Sequence, residues 1–281
     1  MGSFATYPDL NGKVALIAGI GQTGGPEIKS WGNGAAIARG LAANGVKVFG
    51  CDMNLDAAKQ TATRIKSEGG VCDVMRADVT KDSSIREVVD TIMKKHGRVD
   101  ILVNNVGMPA SGHAGSLDEA VWDKQMDLNL KSVYLMCRLV LPIMEAQGQG
   151  AIVNNASIAG LRYLGKPQVA YSTAKAGVLQ FTKVTAVEYA NKGVRLNCVV
   201  PGLMLTPLVE SLGRSESEVD RQMYRRITEH NVPSGTMGDA HDVANATLFL
   251  SSNAAKYITG QKLVVDGALT SSTGTGYNYK L

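Results

Sequence analysis

Short runs rich in Val and Ile recur along almost the whole chain, each followed by a longer amphipathic stretch, and this alternation leaves few folds open. The apolar runs cover residues 14–17, 46–51, 71–75, 101–103, 151–153, 196–200 and 263–265. They are apolar nearly throughout, as strands must be when helices cover both faces of a parallel sheet. The stretches between them carry helical periodicity over residues 35–43, 54–68, 81–96, 117–147 and 169–191. Three of these end at the stop signals Asn44-Gly45, Gly69-Gly70 and Gly97. The expected fold is therefore α/β, a Rossmann-type doubly wound parallel sheet of about seven strands with right-handed crossovers, in one domain over residues 1–281. No internal repeat or linker interrupts it. At 44% hydrophobic and 19% charged residues, the chain has apolar material for a large core.

Composition narrows the function classes. Net charge is +4 without a basic block, so no nucleic-acid partner is expected. No apolar run approaches the ~20 residues of a membrane span, and no charged-then-apolar segment opens the chain. A soluble, cytoplasmic protein is expected. Cys51, Cys72, Cys137 and Cys198 sit among apolar neighbours and form no C-x-x-C pair; they read as buried free thiols. The four histidines are scattered, so no metal site is expected. The start fits a short myristoylation pattern, and we read that as chance.

Two regions break the rhythm. Residues 20–31 form a Gly-rich interruption after the first strand, and residues 203–236 carry polar, helix-like sequence with no expected strand. Loops at the carboxyl ends of parallel strands form the ligand crevice, so both are expected to border a site. The Ser/Thr/Gly/Tyr-rich tail, residues 269–281, is expected to be mobile or to dock on a neighbour. Around the first interruption, Gly19, Gly21, Gly32 and Gly34 would let the chain turn tightly and bring backbone N–H groups to a pyrophosphate at a helix N-terminus. Asp52, ending the second strand, would accept hydrogen bonds from the adenosine ribose hydroxyls and repel a 2′-phosphate. NAD is thus favoured over NADP, with Lys29 the nearby cation that would reverse the preference. Asp78 and Val79 would flank the adenine.

Tyr171 and Lys175 have helical spacing on one face. A free phenol titrates near ~10, and a neighbouring ammonium lowering that by ~2–3 pH units corresponds to ~3–4 kcal/mol of differential interaction. Such a pair is a sensible general acid/base for a hydroxyl or carbonyl, although the spacing taken alone is common on helix surfaces. Other pieces stand in a fixed order around it: Gly19…Gly32-x-Gly34, Asp78-Val79, Asn104-Asn105-Val106-Gly107, Asn129, Ser157, Tyr171-x-x-x-Lys175, Pro201-Gly202, Thr206 and Asp266-Gly267. With these the chain resembles the short-chain dehydrogenase/reductase family over nearly its whole length.

The resemblance implies that Ser157 orients the substrate oxygen, Tyr171 passes the proton, and Lys175 binds the nicotinamide ribose and depresses the Tyr171 pKa. It also implies that Asn129 holds a water joining Lys175 to solvent, that Thr206 beside Pro201-Gly202 bonds the nicotinamide carboxamide, and that Asn105 supports the cofactor wall. Three departures stand out. Twelve residues separate Gly19 from Gly32, where the family pattern has about three; Val106 replaces the usual Ala; and Ser157 lies one residue further from Tyr171 than is common. The implied reaction interconverts a secondary alcohol and a ketone, on a cyclic or bulky substrate. Met108, His113, Arg162, Tyr163, Leu203 and Met204 are candidate lining residues. The resemblance also implies a homotetramer or homodimer. Competing readings are a non-redox isomerase, dehydratase or cyclase using the same site and bound cofactor, and a non-catalytic cofactor-binding module.

Overall fold

The computed structural model describes residues 3–24, 28–228 and 232–273. Its seven main strands are β1 (Val14–Ala18), β2 (Lys47–Asp52), β3 (Val71–Arg76), β4 (Ile101–Asn104), β5 (Gly150–Asn155), β6 (Val194–Pro201) and, last in the chain, β9 (Lys262–Val265). All pair in parallel, in the order β3-β2-β1-β4-β5-β6-β9. The chain winds outward from β1 to β3, then returns to β4 on the other side of β1. The crevice between β1 and β4 is therefore the topological switch point, where ligands of such sheets bind.

Both faces are covered. Helices α1 (Asn33–Ala43), α2 (Leu55–Ser67) and α9 (Ala240–Ser251) bury Ile37, Leu41, Ile65, Val243 and Leu248 against Ala15 and Ile17 on one face. Helices α3 (Asp82–His96), α5 (Ser132–Gln147) and α6 (Val169–Tyr189) bury Ile85, Val88, Val140 and Val178 against Leu16 and Ala18 on the other. Neighbouring residues of one strand thus enter opposite cores, which is why the strands read as unbroken apolar runs. Local chemistry sets the helix ends. Asn54 caps α2 by accepting from the N–H groups of Asp56 and Ala57, and α3 stops at Gly97, whose φ of 70° suits glycine.

Helix α4 (Glu119–Met126) passes into α5 through a π-helical turn at Asp127–Lys131. The region expected to lack strands contains β7 (Met204–Leu205), which pairs with β8 (Gly238–Asp239). Two residues are too few to make an apolar run, so the sequence carried no trace of it. Helices α7 (Pro207–Arg214) and α8 (Glu218–Thr228) follow β7. Helix α9 was not expected either, though its Asp239/Asp242 capping box is a readable start signal. All four cysteines are buried and free. Among the described residues no helix is long and apolar enough to cross a membrane. Most of the 269–281 tail lies outside the described residues, as do residues 25–27 of the insert.

Candidate active site

The glycine loop is built for close approach. Gly19 has φ of 82° and its N–H donates to the Cys51 carbonyl at 2.8 Å. A Cβ on Gly34 would sit inside the van der Waals shell of the Gly19 carbonyl oxygen, with the Asn105 amide behind it, so α1 starts directly against the end of β1. Gly32 is the N-cap of α1 and supplies no side-chain cap, whereas Asn54, Asp118 and Asp239 cap α2, α4 and α9. The first N–H groups of α1 therefore stay available to an anion, beside Gly32, where an added Cβ would meet nothing closer than 3.6 Å. That arrangement fits a dinucleotide pyrophosphate.

Asp52 is already engaged. Its Oδ2 accepts from Gly21 N–H at 2.8 Å and its Oδ1 from Asn54 N–H at 2.9 Å. Each oxygen keeps a second lone pair for a ribose hydroxyl. Arg76 lies opposite Asp52 in the β2–β3 register, and its Nε donates to the Met53 carbonyl at 3.3 Å. The sequence reading passed over this cation, because the pairing of β2 with β3 is what brings it there. Asp78 turns inward on Thr80, accepting from its N–H at 2.9 Å and its hydroxyl at 2.7 Å, while Val79 is buried.

The insert is fixed on both sides. Thr61 Oγ1 of α2 donates to the Ile20 carbonyl at 2.9 Å. Gln22 straps the loop shut, donating to the Ser30 carbonyl at 3.0 Å and accepting from Gly32 N–H at 2.9 Å. Trp31 is buried between the guanidinium groups of Arg39 and Arg64, 5.0 Å and 4.0 Å from its ring centroid. Lys29 is exposed, and its main-chain N–H meets Glu210 of α7.

Across the switch point, the ends of β4 and β5 are cross-linked by side chains. Asn155 Nδ2 donates to Asn105 Oδ1 at 2.7 Å, and Asn105 Nδ2 donates to the Gly19 carbonyl at 2.9 Å. Lys175, only 3% exposed, donates from Nζ to the Asn155 carbonyl at 2.8 Å. Its Nζ lies 5.8 Å from the centre of the Tyr171 ring. Ser157 begins a 3-10 turn after β5, its hydroxyl accepting from Ala159 N–H at 3.2 Å, and it lies beside Tyr171, which stands in the first turn of α6. Asn129 sits in the π-helical turn, fully buried. Its Oδ1 accepts from Met108 N–H at 3.0 Å, and its Nδ2 faces the Met108 and Gln125 carbonyls. A Cβ on Gly107 would be 2.9 Å from Lys175 Nζ and 3.0 Å from Asn129 Oδ1, so that glycine leaves the space between them open. Ser157, Tyr171, Lys175 and Asn129 thus converge on the β4–β5 mouth.

The electrostatics differ from the expected pattern. Burial pushes the Tyr171 phenol above its ordinary value, and the neighbouring Ser157 hydroxyl only opposes this. Burial also pushes Lys175 down, to about 8. Removal from water, which disfavours both charged forms, is the largest influence on each group and runs against the depression of Tyr171 that the resemblance implies.

At the far wall, Gly202 N–H donates to the Val265 carbonyl at 2.9 Å just beyond Pro201, and Thr206 is the N-cap of α7. Several expected lining residues lie elsewhere. Met204 is buried in the core, and Tyr163 is 74% exposed. Arg162 donates to the carbonyls of Leu269 and Ser272 at 3.2 Å and 2.9 Å, anchoring the start of the tail. Asp266 accepts from the N–H groups of Ala268 and Thr270, a turn-forming role.

Residues 28–270 match the family described as enoyl-(acyl carrier protein) reductase. The chain is 37% identical to 2-(R)-hydroxypropyl-CoM dehydrogenase of Xanthobacter autotrophicus, over 92% of this chain and 98% of that protein. A solved structure from Burkholderia xenovorans, described as a short-chain dehydrogenase/reductase, superposes with a TM-score of 0.84 at 44% identity, covering 94% of this chain and 98% of that one. A gluconate 5-dehydrogenase from Burkholderia cenocepacia, solved with NADP and tartrate, superposes with a TM-score of 0.81 at 30% identity, covering 95% and 98%.

Proposed function

We propose that this chain, which belongs to the short-chain dehydrogenase/reductase family, interconverts a secondary alcohol and a ketone, with Tyr171 passing the proton and NAD(H) as the preferred cofactor. That it is an oxidoreductase acting on CH–OH groups with a nicotinamide cofactor follows from its relatives, which are named dehydrogenases and reductases. Their names weigh against the non-redox reading.

The observation that carries the proposal is the convergence of Ser157, Tyr171 and the buried Lys175 ammonium at the mouth of β5, with Lys175 Nζ 5.8 Å from the Tyr171 ring centre and held on the Asn155 carbonyl. A bound nicotinamide dinucleotide would supply the hydride to the carbonyl carbon, or accept it from the alcohol carbon. In reduction Tyr171 Oη gives its proton to the carbonyl oxygen; in oxidation it takes the hydroxyl proton back. Ser157 orients that oxygen by hydrogen bond. Lys175 lies within reach of the β4–β5 mouth, where it would bind the nicotinamide ribose and offset negative charge on the phenolate. Asn129 and Gly107 keep open the route by which a water would reconnect Lys175 with solvent. The uncapped start of α1 with Gly19, Gly21, Gly32 and Gly34 would hold the pyrophosphate, Thr206 the carboxamide, and Asp78, Val79 and Asn105 the adenine and sheet-side walls.

Asp52 supports NAD(H), through its remaining lone pairs and its negative charge. Arg76, beside Asp52, is the cation that would hold a 2′-phosphate if NADP(H) were bound instead. A cyclic or bulky substrate, a cytoplasmic location and a homotetramer or homodimer belong to the same proposal. The test is titration with NADH and NADPH, followed by a panel of ketones and secondary alcohols watched at the nicotinamide absorbance. We expect tighter NADH binding, turnover on a secondary alcohol or ketone, and oxidation that quickens toward alkaline pH as Tyr171 loses its proton. Preferential NADPH binding would overturn the Asp52 assignment in favour of Arg76.

A further inference from the structure

The insert after β1 and the helix after β6 meet at one side chain. Glu210, in the first turn of α7, accepts from Ser30 N–H at 2.9 Å and from Lys29 N–H at 3.2 Å, and Arg214 donates to it at 2.9 Å. Its side chain is 15% exposed. Two successive main-chain N–H groups form a concavity suited to an anion, and here the anion is supplied from a separate part of the chain. Those donors, the Ser30 N–H foremost, hold the Glu210 carboxyl down at about 2, so it stays ionised at any working pH. On its own helix, Glu210 N–H donates to the Thr206 carbonyl at 2.8 Å. On the other side, the insert runs through Trp31 to Gly32 at the start of α1.

The sheet order gives this contact its meaning. Between β1 and β6 lie β4 and β5, whose mouths carry Asn105, Gly107 and Ser157. A bridge from the β1 loop to the β6 helix therefore arches across whatever is held against those mouths. We propose that Glu210 is a positioning residue that fastens residues 28–31 to α7 as a roof over the cofactor cleft, slowing cofactor release; this rests on reading that cleft as the dinucleotide site. The fastening uses the main-chain donors of Lys29 and Ser30, with the Ser30 side chain also acting on the carboxylate, so it depends on Glu210 rather than on the Lys29 side chain. Charge-assisted hydrogen bonds of this kind are strong for a surface contact, yet they can break without disturbing the core.

The experiment compares the full-length wild type with Glu210→Ala and Glu210→Gln. Displacement of bound NADH, or NADPH if that is the cofactor wild type binds, is followed by stopped-flow fluorescence, and amide exchange is measured on the free proteins. We expect release on the order of tenfold faster in Glu210→Ala, with Glu210→Gln between it and wild type because one acceptor oxygen remains. Amides of residues 28–32 should exchange faster in both variants while those of β4 and α6 keep their protection. Unchanged release in Glu210→Ala despite lost protection at 28–32 would overturn the roof and leave the cofactor site standing. Unchanged protection at 28–32 would show that the fastening is not made. Failure of wild type to bind either nucleotide would instead overturn the reading of the cleft, and the roof with it.

Discussion

The β4–β5–α6 wall and the insert–α7 roof face each other across the cleft, and they are held by different means. In the wall, buried amides bond across strands: Asn104 to Asn154 at 2.8 Å, Asn154 to Thr182 at 2.8 Å, and Asn155 to Asn105 at 2.7 Å. Although Asn104 Oδ1 and Asn155 Oδ1 lack a hydrogen-bond partner among the described residues, breaking any of these buried bonds would strand further polar groups, so they tie β4, β5 and α6 together. In the roof, α7 leaves Leu208 largely exposed and is joined to the insert through Glu210. Proton and hydride transfer require fixed groups. Entry and exit of a large cofactor require elements that can let go without unfolding the rest. The division between wall and roof suits both demands.

The sharpest test of the wall is Tyr171→Phe. Turnover should fall by ~10²–10⁴ with cofactor affinity and stability nearly unchanged; a fully active variant would remove Tyr171 from its role. Next comes the junction of the two regions. Gly34→Ala forces a methyl onto the Gly19 carbonyl and should destabilise the fold by ~2–4 kcal/mol in urea unfolding. A variant as stable as wild type would mean that α1 can back away from β1 cheaply.

A smaller effect is expected at the rim. Asp52→Ala should weaken NADH binding about tenfold and relieve discrimination against NADPH, as well as loosening Gly21 and Asn54. Isothermal titration showing both affinities unchanged would exclude Asp52 from cofactor selection. The smallest effect concerns Lys175. Burial lowers its folded-state pKa from 10.5 to about 8, so between those values the unfolded chain binds more protons and wild-type stability rises with pH. Lys175→Met, which removes the buried charge, should raise Tm by roughly a few degrees below pH ~8, an advantage that shrinks as pH approaches ~10. An equal Tm difference at both ends of that range would mean that the ammonium carries no burial penalty.

All seven main strands and their parallel arrangement were legible: the five inner strands are buried on both faces and have to be apolar almost throughout, while the partly exposed edge strands β3 and β9 left weaker marks. Tyr171 and Lys175 were legible through helical spacing. Ser157 and Asn129 were reached only through the family resemblance. Other features left weaker marks or none. Helix α9 had a capping box but little amphipathic contrast, since both its neighbours and its strands are apolar. Arg76 became a neighbour of Asp52 only through the pairing of β2 with β3. Arg162, expected beside substrate, instead holds the carbonyls of Leu269 and Ser272.

By itself the sequence determined the seven main strands and the helices from α1 to α6, that the sheet is parallel, and that a Tyr–Lys pair shares one helix face. These follow from periodicity and from residue type over a few neighbouring positions. Tertiary structure alone decided that Glu210 meets Lys29 and Ser30, that Asp52 is tied to Gly21, and that burial rather than mutual attraction governs Tyr171 and Lys175. Contacts between distant parts of a chain, and the exclusion of water around a charge, depend on how whole layers pack, and no local pattern encodes them.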